Sequence, residues 1–174
     1  MDAQQPPSLA RIATKYGLIQ GALGFLLFLI FTLTGLPQNW ATTLVSVVLL
    51  VVLIVLAHRE YKRTHEGIMT YGQGLGSGTL LSVVASVLSC VLVYLYIAFI
   101  NTGYPAAALQ AQRSTMEQQG MSEAQIDQAM SIAGAMLTPT GIVVTSLVSG
   151  IIVGFVISLI VSAVTKESDP RAVV

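Results

Sequence analysis

The feature that most constrains this chain is the placement of its charges. No Asp, Glu, Lys or Arg occurs between Lys15 and Arg59, between Glu66 and Arg113, or between Asp127 and Lys166. Charged residues make up 9% of the chain, against about 25% in soluble domains, and 54% of residues are hydrophobic. Apolar runs longer than about 18 residues are typical of transmembrane helices. We therefore predict an all-α, polytopic membrane protein whose 174 residues form one membrane domain.

The neutral stretches divide into four predicted spans. Proline ends a helix at or before the preceding residue, so Leu36-Pro37 splits the first stretch in two. Because about 20 helical residues cross a bilayer core, the second span is short and must use its flanks or run upright, whereas the third is long and should tilt. The predicted bounds are about 16–36, 41–57, 72–100 and 142–164.

The polar segment between the third and fourth spans, residues 105–137, predicts two short extracytoplasmic helices. Pro105 suits a first helical position, and Gly120 suits a helix end. Ser122 and Gln125 have the spacing of a capping box, in which each side chain satisfies a free backbone donor of the other. The second helix should lay an apolar stripe on the membrane surface or on the bundle, and the stripe comprises Ile126, Met130, Ala133 and Leu137.

The basic residues predict the orientation. Lysine and arginine in short loops favour the cytoplasmic side. Of the eight basic residues, only Arg113 falls between the third and fourth spans. The others are Arg11, Lys15, Arg59, Lys62, Arg63, Lys166 and Arg171. We therefore expect both termini and the basic loop in the cytoplasm.

The predicted spans contain no ionisable side chain of the kind that proton relays, ion coupling or intramembrane proteolysis use. We therefore expect no catalytic residue, cofactor or metal site, and we interpret Cys90 as a small packing residue. His58 and His65 could bind a metal together with Glu66, but polar residues at a hydrated helix end explain them more simply. Gln20 and Gln73 could line a polar path, although interhelical hydrogen bonding is the favoured interpretation.

Two further polar groups also receive simple interpretations. Glu60, Lys62 and Glu66 are interpreted as a solvated face. The glycines of residues 72–78 lack the Gly-Lys-Ser/Thr ending of a phosphate loop, so nucleotide binding is not expected.

Small residues recur every fourth position along the third and fourth spans. Such residues allow close helix contact in a bilayer. Antiparallel spans would place Gly74 opposite Ser162 and Cys90 opposite Ser146. We expect the tightest approach of this closest-packed pair between Gly78 and Gly154, within about a turn of each other in depth. A shorter version, Gly17 and Gly21, lies in the first span. The predicted packing residues are Gly74, Gly78, Ser82, Ser86, Cys90, Ser146, Gly150, Gly154, Ser158 and Ser162.

The chain resembles a bacterial family known as domain of unknown function 4199, found largely in Bacteroidota. The resemblance covers about residues 12–167 and rests on short motifs. These are Tyr16-Gly17, residues 59–66 with Thr70-Tyr71-Gly72-Gln73-Gly74, Tyr104-Pro105, and residues 120–126. It implies a four-helix inner-membrane protein without an assigned activity, and it transfers no catalytic residue.

The sequence leaves two main classes of function open. The first is a non-enzymatic accessory or scaffold subunit that sits in the lipid bilayer and binds another membrane protein or a second copy of itself. The second is a small carrier or channel for a neutral or hydrophobic solute. An enzyme is the least favoured class, because the spans lack ionisable groups. No basic stripe suggests nucleic acid as a partner.

Overall fold

The computed structural model describes residues 7–35 and 40–167, which are almost wholly helical. Four helices are long and apolar enough to cross a membrane, and the third of them ends in a π-helical segment, Tyr96–Ile100. This confirms the all-α fold with four candidate spans. In chain order the helices are α1 (Leu9–Thr34), α2 (Trp40–Thr64), α3 (Tyr71–Leu95), α4 (Tyr104–Gln118), α5 (Glu123–Met136) and α6 (Pro139–Thr165).

Helix α1 begins earlier than predicted, because Ser8 caps it. The Ser8 hydroxyl accepts a hydrogen bond from the backbone N–H of Arg11 at 3.3 Å, so the basic N-terminal residues belong to the helix. The helix ends at Gly35, which adopts a left-handed conformation (φ 64°) that glycine reaches without a steric cost. The predicted stop at Leu36-Pro37 lies outside the described residues.

Helix α2 extends seven residues beyond the predicted end at Ala57, so most of the expected basic loop is helical. No glycine or proline interrupts this stretch, and the helix stops only at a left-handed turn. Glu66 has a φ of 52°, and the N–H of Gly67 donates to the Lys62 carbonyl at 2.9 Å. This bond closes the last turn in the manner of a Schellman motif.

The contact pattern divides the chain into two compact units. The first comprises residues up to Ser89 together with those from Ser149 onward. Its buried apolar core draws on α1, α2, α3, α6 and the turn before α3, and contains Ile12, Ala13, Leu50, Ile54, Ala57, Tyr61, Met69, Leu81 and Val161.

The second unit, Cys90 to Val148, contains the helical hairpin α4–α5. Gly120 breaks the two helices with a φ of 73°, and the N–H of Ser122 donates to Gln125 Oε1 at 3.0 Å. Ile126 and Ala133 of the apolar stripe are buried, whereas Met130 and Leu137 are partly exposed. The segment 105–137 is therefore two helices broken near Gly120, as predicted.

A single arginine clamps the hairpin. Arg113 donates to Glu117 on its own helix and to Glu123 on α5, each at 3.0 Å. The hydrogen bond with Glu117, followed by the charge of Glu123, raises the pKa of Arg113 above its usual value, so this side chain stays charged at accessible pH.

Candidate functional site: a glycine–serine seam and a polar collar

Helices α3 and α6 meet along a line of alternating glycines and serines, which we call the glycine–serine seam. At each of four levels one helix presents a glycine and the other a serine. A β-carbon added at Gly74 would lie 3.0 Å from the Oγ of Ser162, and one added at Gly150 would lie 2.6 Å from the Oγ of Ser86. The four pairs are Gly74–Ser162, Gly78–Ser158, Ser82–Gly154 and Ser86–Gly150.

Gly78 and Gly154 lie within a turn of each other in depth, as predicted, but they do not face each other. Each of these glycines meets a serine instead: Gly78 packs on Ser158, and Gly154 packs on Ser82. The register that brings Gly74 opposite Ser162 leaves the two glycines one helical turn apart. Each serine fills the space that its opposite glycine leaves, so the helices interlock.

The serine hydroxyls at the centre of the seam are bound within their own helices. Ser82 Oγ donates to the Gly78 carbonyl at 2.9 Å, and Ser158 Oγ donates to the Gly154 carbonyl at 2.7 Å. Such bonds to the preceding turn satisfy a hydroxyl without any interhelical partner. Ser162 Oγ is buried and has no hydrogen-bond partner within residues 7–35 and 40–167. The seam therefore acts by shape rather than by hydrogen bonding.

The predicted last pair of the ladders is not formed. Ser146 is exposed on α6, and Cys90, which is buried, places its Sγ 3.5 Å from the carbonyl of Val143. Cys90 is thus a packing residue, as expected, but Ser146 is not its partner.

Helix α1 packs on another face of α3 through its own glycines. A β-carbon at Gly17 would lie 2.8 Å from the backbone carbonyl oxygen of Leu81, and one at Gly21 would lie 2.9 Å from that of Ala85. Ser89 Oγ then donates to the Gly21 carbonyl at 2.8 Å. These α1 glycines meet backbone atoms, whereas the seam glycines meet serine side chains.

A second polar feature, the polar collar, consists of His58, Glu60 and Lys62 on the last turns of α2. Glu60 binds α1, because it accepts from Lys15 Nζ at 2.7 Å and from the Tyr16 hydroxyl at 2.8 Å. This carboxylate therefore joins two helices, and its side chain remains 30% exposed.

His58 and Lys62 join α2 to α3 and to the end of α6. His58 is completely buried, and its Nε2 lies 3.0 Å from the Gly74 carbonyl, which can only accept, so Nε2 carries a proton. Its Nδ1 lies 2.8 Å from the hydroxyl of Thr165. Lys62 Nζ donates to the Thr165 carbonyl at 3.2 Å and pairs with Glu167 at 3.3 Å. One turn of α2 thus touches every other long helix of the first unit.

The structure does not gather the residues of the alternative metal site. His58 is held by α3 and α6, while His65 lies beyond the helix end and stacks on Tyr61 with ring centroids 4.0 Å apart. Glu66 is exposed in the turn. Both rings therefore already have other contacts.

The two glutamines have different roles. Gln73 binds locally rather than to another helix. Its Oε1 accepts from the Thr70 N–H at 2.9 Å, and its own N–H donates to Thr70 Oγ1 at 3.3 Å. This is a capping box that starts α3 inside the glycine-rich stretch. Gln20 Oε1 is buried and has no hydrogen-bond partner in the described part of the chain.

A cavity of about 250 Å³ lies between α1 and α2, remote from the polar collar. Its wall on α1 is apolar and its wall on α2 carries hydroxyl groups. The lining residues are Gly24, Leu27, Phe28 and Phe31 on α1, with Thr42, Thr43 and Ser46 on α2.

A set of long apolar helices that interlock through small residues, with their charges at one end, defines a polytopic membrane protein. Within this class the chain belongs to the family described as Protein of unknown function (DUF4199), whose family model matches residues 15–167. No curated protein matches the chain, and no solved structure does.

Proposed function

We propose that this protein is a non-enzymatic accessory or scaffold subunit of a bacterial inner membrane, with both termini in the cytoplasm. The observation that carries the proposal is the glycine–serine seam. Its serines are the polar residues that a solute path between α3 and α6 would need, and each is packed against a glycine of the other helix. A bundle with this interior is suited to hold a shape and to present surfaces to a partner.

The hairpin α4–α5 is the surface that we assign to a partner protein. Ile132 and Met136 are exposed on one flank of α5, with relative exposures of 61% and 50%. Arg113 fixes the opposite flank through Glu123, so the apolar flank is presented on a rigid element. Exposed apolar groups on a rigid helix are typical of protein or membrane contacts.

Isolation of the tagged chain from native membranes in mild detergent tests the proposal. We expect a second membrane protein at fixed stoichiometry, measured from the intact mass of the complex. Ile132→Glu should remove that protein, while Ser131→Glu, at the neighbouring exposed polar position, should retain it. A chain that stays without a protein partner in all three preparations would contradict a scaffold role.

The orientation has its own test. Single cysteines at Arg63 and Gln118, in a Cys90→Ala background, should react with an impermeant thiol reagent from opposite sides of the membrane. Arg63→Cys is expected to react from the cytoplasmic side, and Gln118→Cys from the other. Reaction of both cysteines from the same side would contradict the four-span arrangement.

A carrier for a neutral or hydrophobic solute is the second candidate, and the cavity between α1 and α2 favours it. Its wall combines aromatic rings with hydroxyls, as ligand pockets do, and its volume of about 250 Å³ lies below their usual range of about 300–1,000 Å³. Ser46→Leu would fill the cavity from α2. Loss of solute flux in proteoliposomes with this variant, but not with the outward-facing Val48→Leu, would support the carrier.

A further inference from the structure

The end of the first unit that carries the polar collar has more positive than negative side chains among the described residues. We call it the basic end. Lys15 pairs with Glu60, and Lys62 pairs with Glu167. The remaining charged side chains of the described residues at this end have no ion pair within 4.0 Å: four exposed cations and one exposed carboxylate, that of Glu66. The cations are Arg11, Arg59, Arg63 and Lys166.

Two of these cations continue the outward face of α2. Its buried residues include Ile54, Ala57 and Tyr61, and at 100° per residue Arg59 and Arg63 fall on the opposite side of the helix. The same side carries exposed Val48 and Val52 toward the other end of the helix. Side chains four residues apart are neighbours on a helix surface, so the two arginines stand together where this apolar face ends.

Arg11 lies at the same level on α1. Lys15 of α1 contacts Glu60 of α2, so in this antiparallel pair the position level with Arg11 is residue 64, next to Arg63. Arg11 also continues an outward face, since exposed Leu18 lies two turns further along that side of α1. The three arginines therefore border the lipid-facing side of the α1–α2 pair.

We propose that Arg11, Arg59 and Arg63 form a binding surface for the headgroup of an anionic phospholipid. The apolar face that leads into the arginines meets acyl chains, so the group that reaches the arginines is the phosphate of the same lipid. Guanidinium groups match phosphate oxygens in a bidentate manner. Each cation near an anionic membrane surface contributes about five-fold to binding. This surface does not depend on the proposed scaffold role or on the orientation.

Native mass spectrometry of the purified full chain, with phosphatidylglycerol or phosphatidylcholine added, tests the proposal. The wild type should bind phosphatidylglycerol in preference to phosphatidylcholine. Arg59→Gln with Arg63→Gln should reduce that preference at least about five-fold. Arg59→Lys with Arg63→Lys should retain part of it, because the charge is kept while the bidentate contact is lost.

Arg113→Gln is the matched control, since it removes an arginine from the hairpin in the second unit. It should leave the lipid preference unchanged. Two results would overturn the proposal. The first is a preference for phosphatidylglycerol in the Arg59/Arg63 double glutamine variant that equals that of the wild type. The second is an equal loss of this preference in Arg113→Gln, which would assign the effect to total charge. Thermal unfolding of each variant establishes that it is folded.

Discussion

Gly154→Ala is the smallest change that tests the seam. The added methyl group would occupy the space of the Ser82 side chain and lie 3.7 Å from the Ser82 Cα. The Cβ of Ser82 cannot rotate away, because it is bonded directly to the backbone. The two helices must therefore separate, and overpacking of this kind costs about 1–3 kcal/mol.

The reciprocal variant sharpens the test. Ser82→Gly removes the obstructing side chain, so the double variant Gly154→Ala/Ser82→Gly should recover part of the loss. Residues in direct contact show coupling of about 0.5–3 kcal/mol in such a cycle. The free energies would be measured by circular dichroism during unfolding with SDS in mixed micelles.

Gly76→Ala is the control for the same replacement elsewhere in the bundle. A β-carbon at Gly76 meets no atom within 4 Å, and alanine favours a helix over glycine by about 0.8–1 kcal/mol, so this variant should lose no stability. A Gly154→Ala protein as stable as the wild type, or strictly additive effects in the cycle, would refute the interlocked seam.

Three further outcomes are expected, each measured by the same unfolding assay. Gly17→Ala should destabilise more than Gly24→Ala, because the first methyl group meets the Leu81 backbone and the second meets a side chain that can rotate; equal losses would contradict this. Glu66→Gly should stabilise by up to about 1–2 kcal/mol, because it relieves a left-handed φ, whereas a loss would show that the turn depends on the carboxylate. His58→Ala should remove a buried ring and its hydrogen bond to the Gly74 carbonyl, at a cost of about 0.5–1.5 kcal/mol for the bond alone, and unchanged stability would show that the ring does not hold the helices together.

The fold was predictable because charge placement, hydropathy and helix-ending residues can be identified directly in the sequence. Neutral stretches and helix punctuation gave four spans and the hairpin at Gly120. The recurrence of small residues at every fourth position predicted that Gly74 lies opposite Ser162. The same register places Gly78 opposite Ser158 and Gly154 opposite Ser82, so the expected close approach of Gly78 to Gly154 did not follow from it. The spacing alone could not show which residues come closest, because that depends on the side chains that fill the space between the helices.

The polar collar was missed for a different reason. His58, Glu60 and Lys62 follow an apolar run, so a pattern of hydropathy ends the span before them. Their contacts involve partners far away in sequence, such as Lys15 and Thr165, which no local pattern identifies. The sequence did contain one signal for these contacts, namely the shortness of the predicted second span. A helix that is too short to cross the bilayer must include its flanking residues, and these are the residues of the polar collar.

The central claim is that the space between α3 and α6 is closed to solutes. Labelling with a small water-soluble thiol reagent tests it directly, in membranes that carry single cysteines in a Cys90→Ala background. Ser158→Cys and Ser162→Cys, both buried, should remain unlabelled from either side, while exposed Glu66→Cys reacts rapidly. Labelling of the two buried positions at a rate comparable to that of Glu66→Cys would contradict the account and show a water-filled path along the seam.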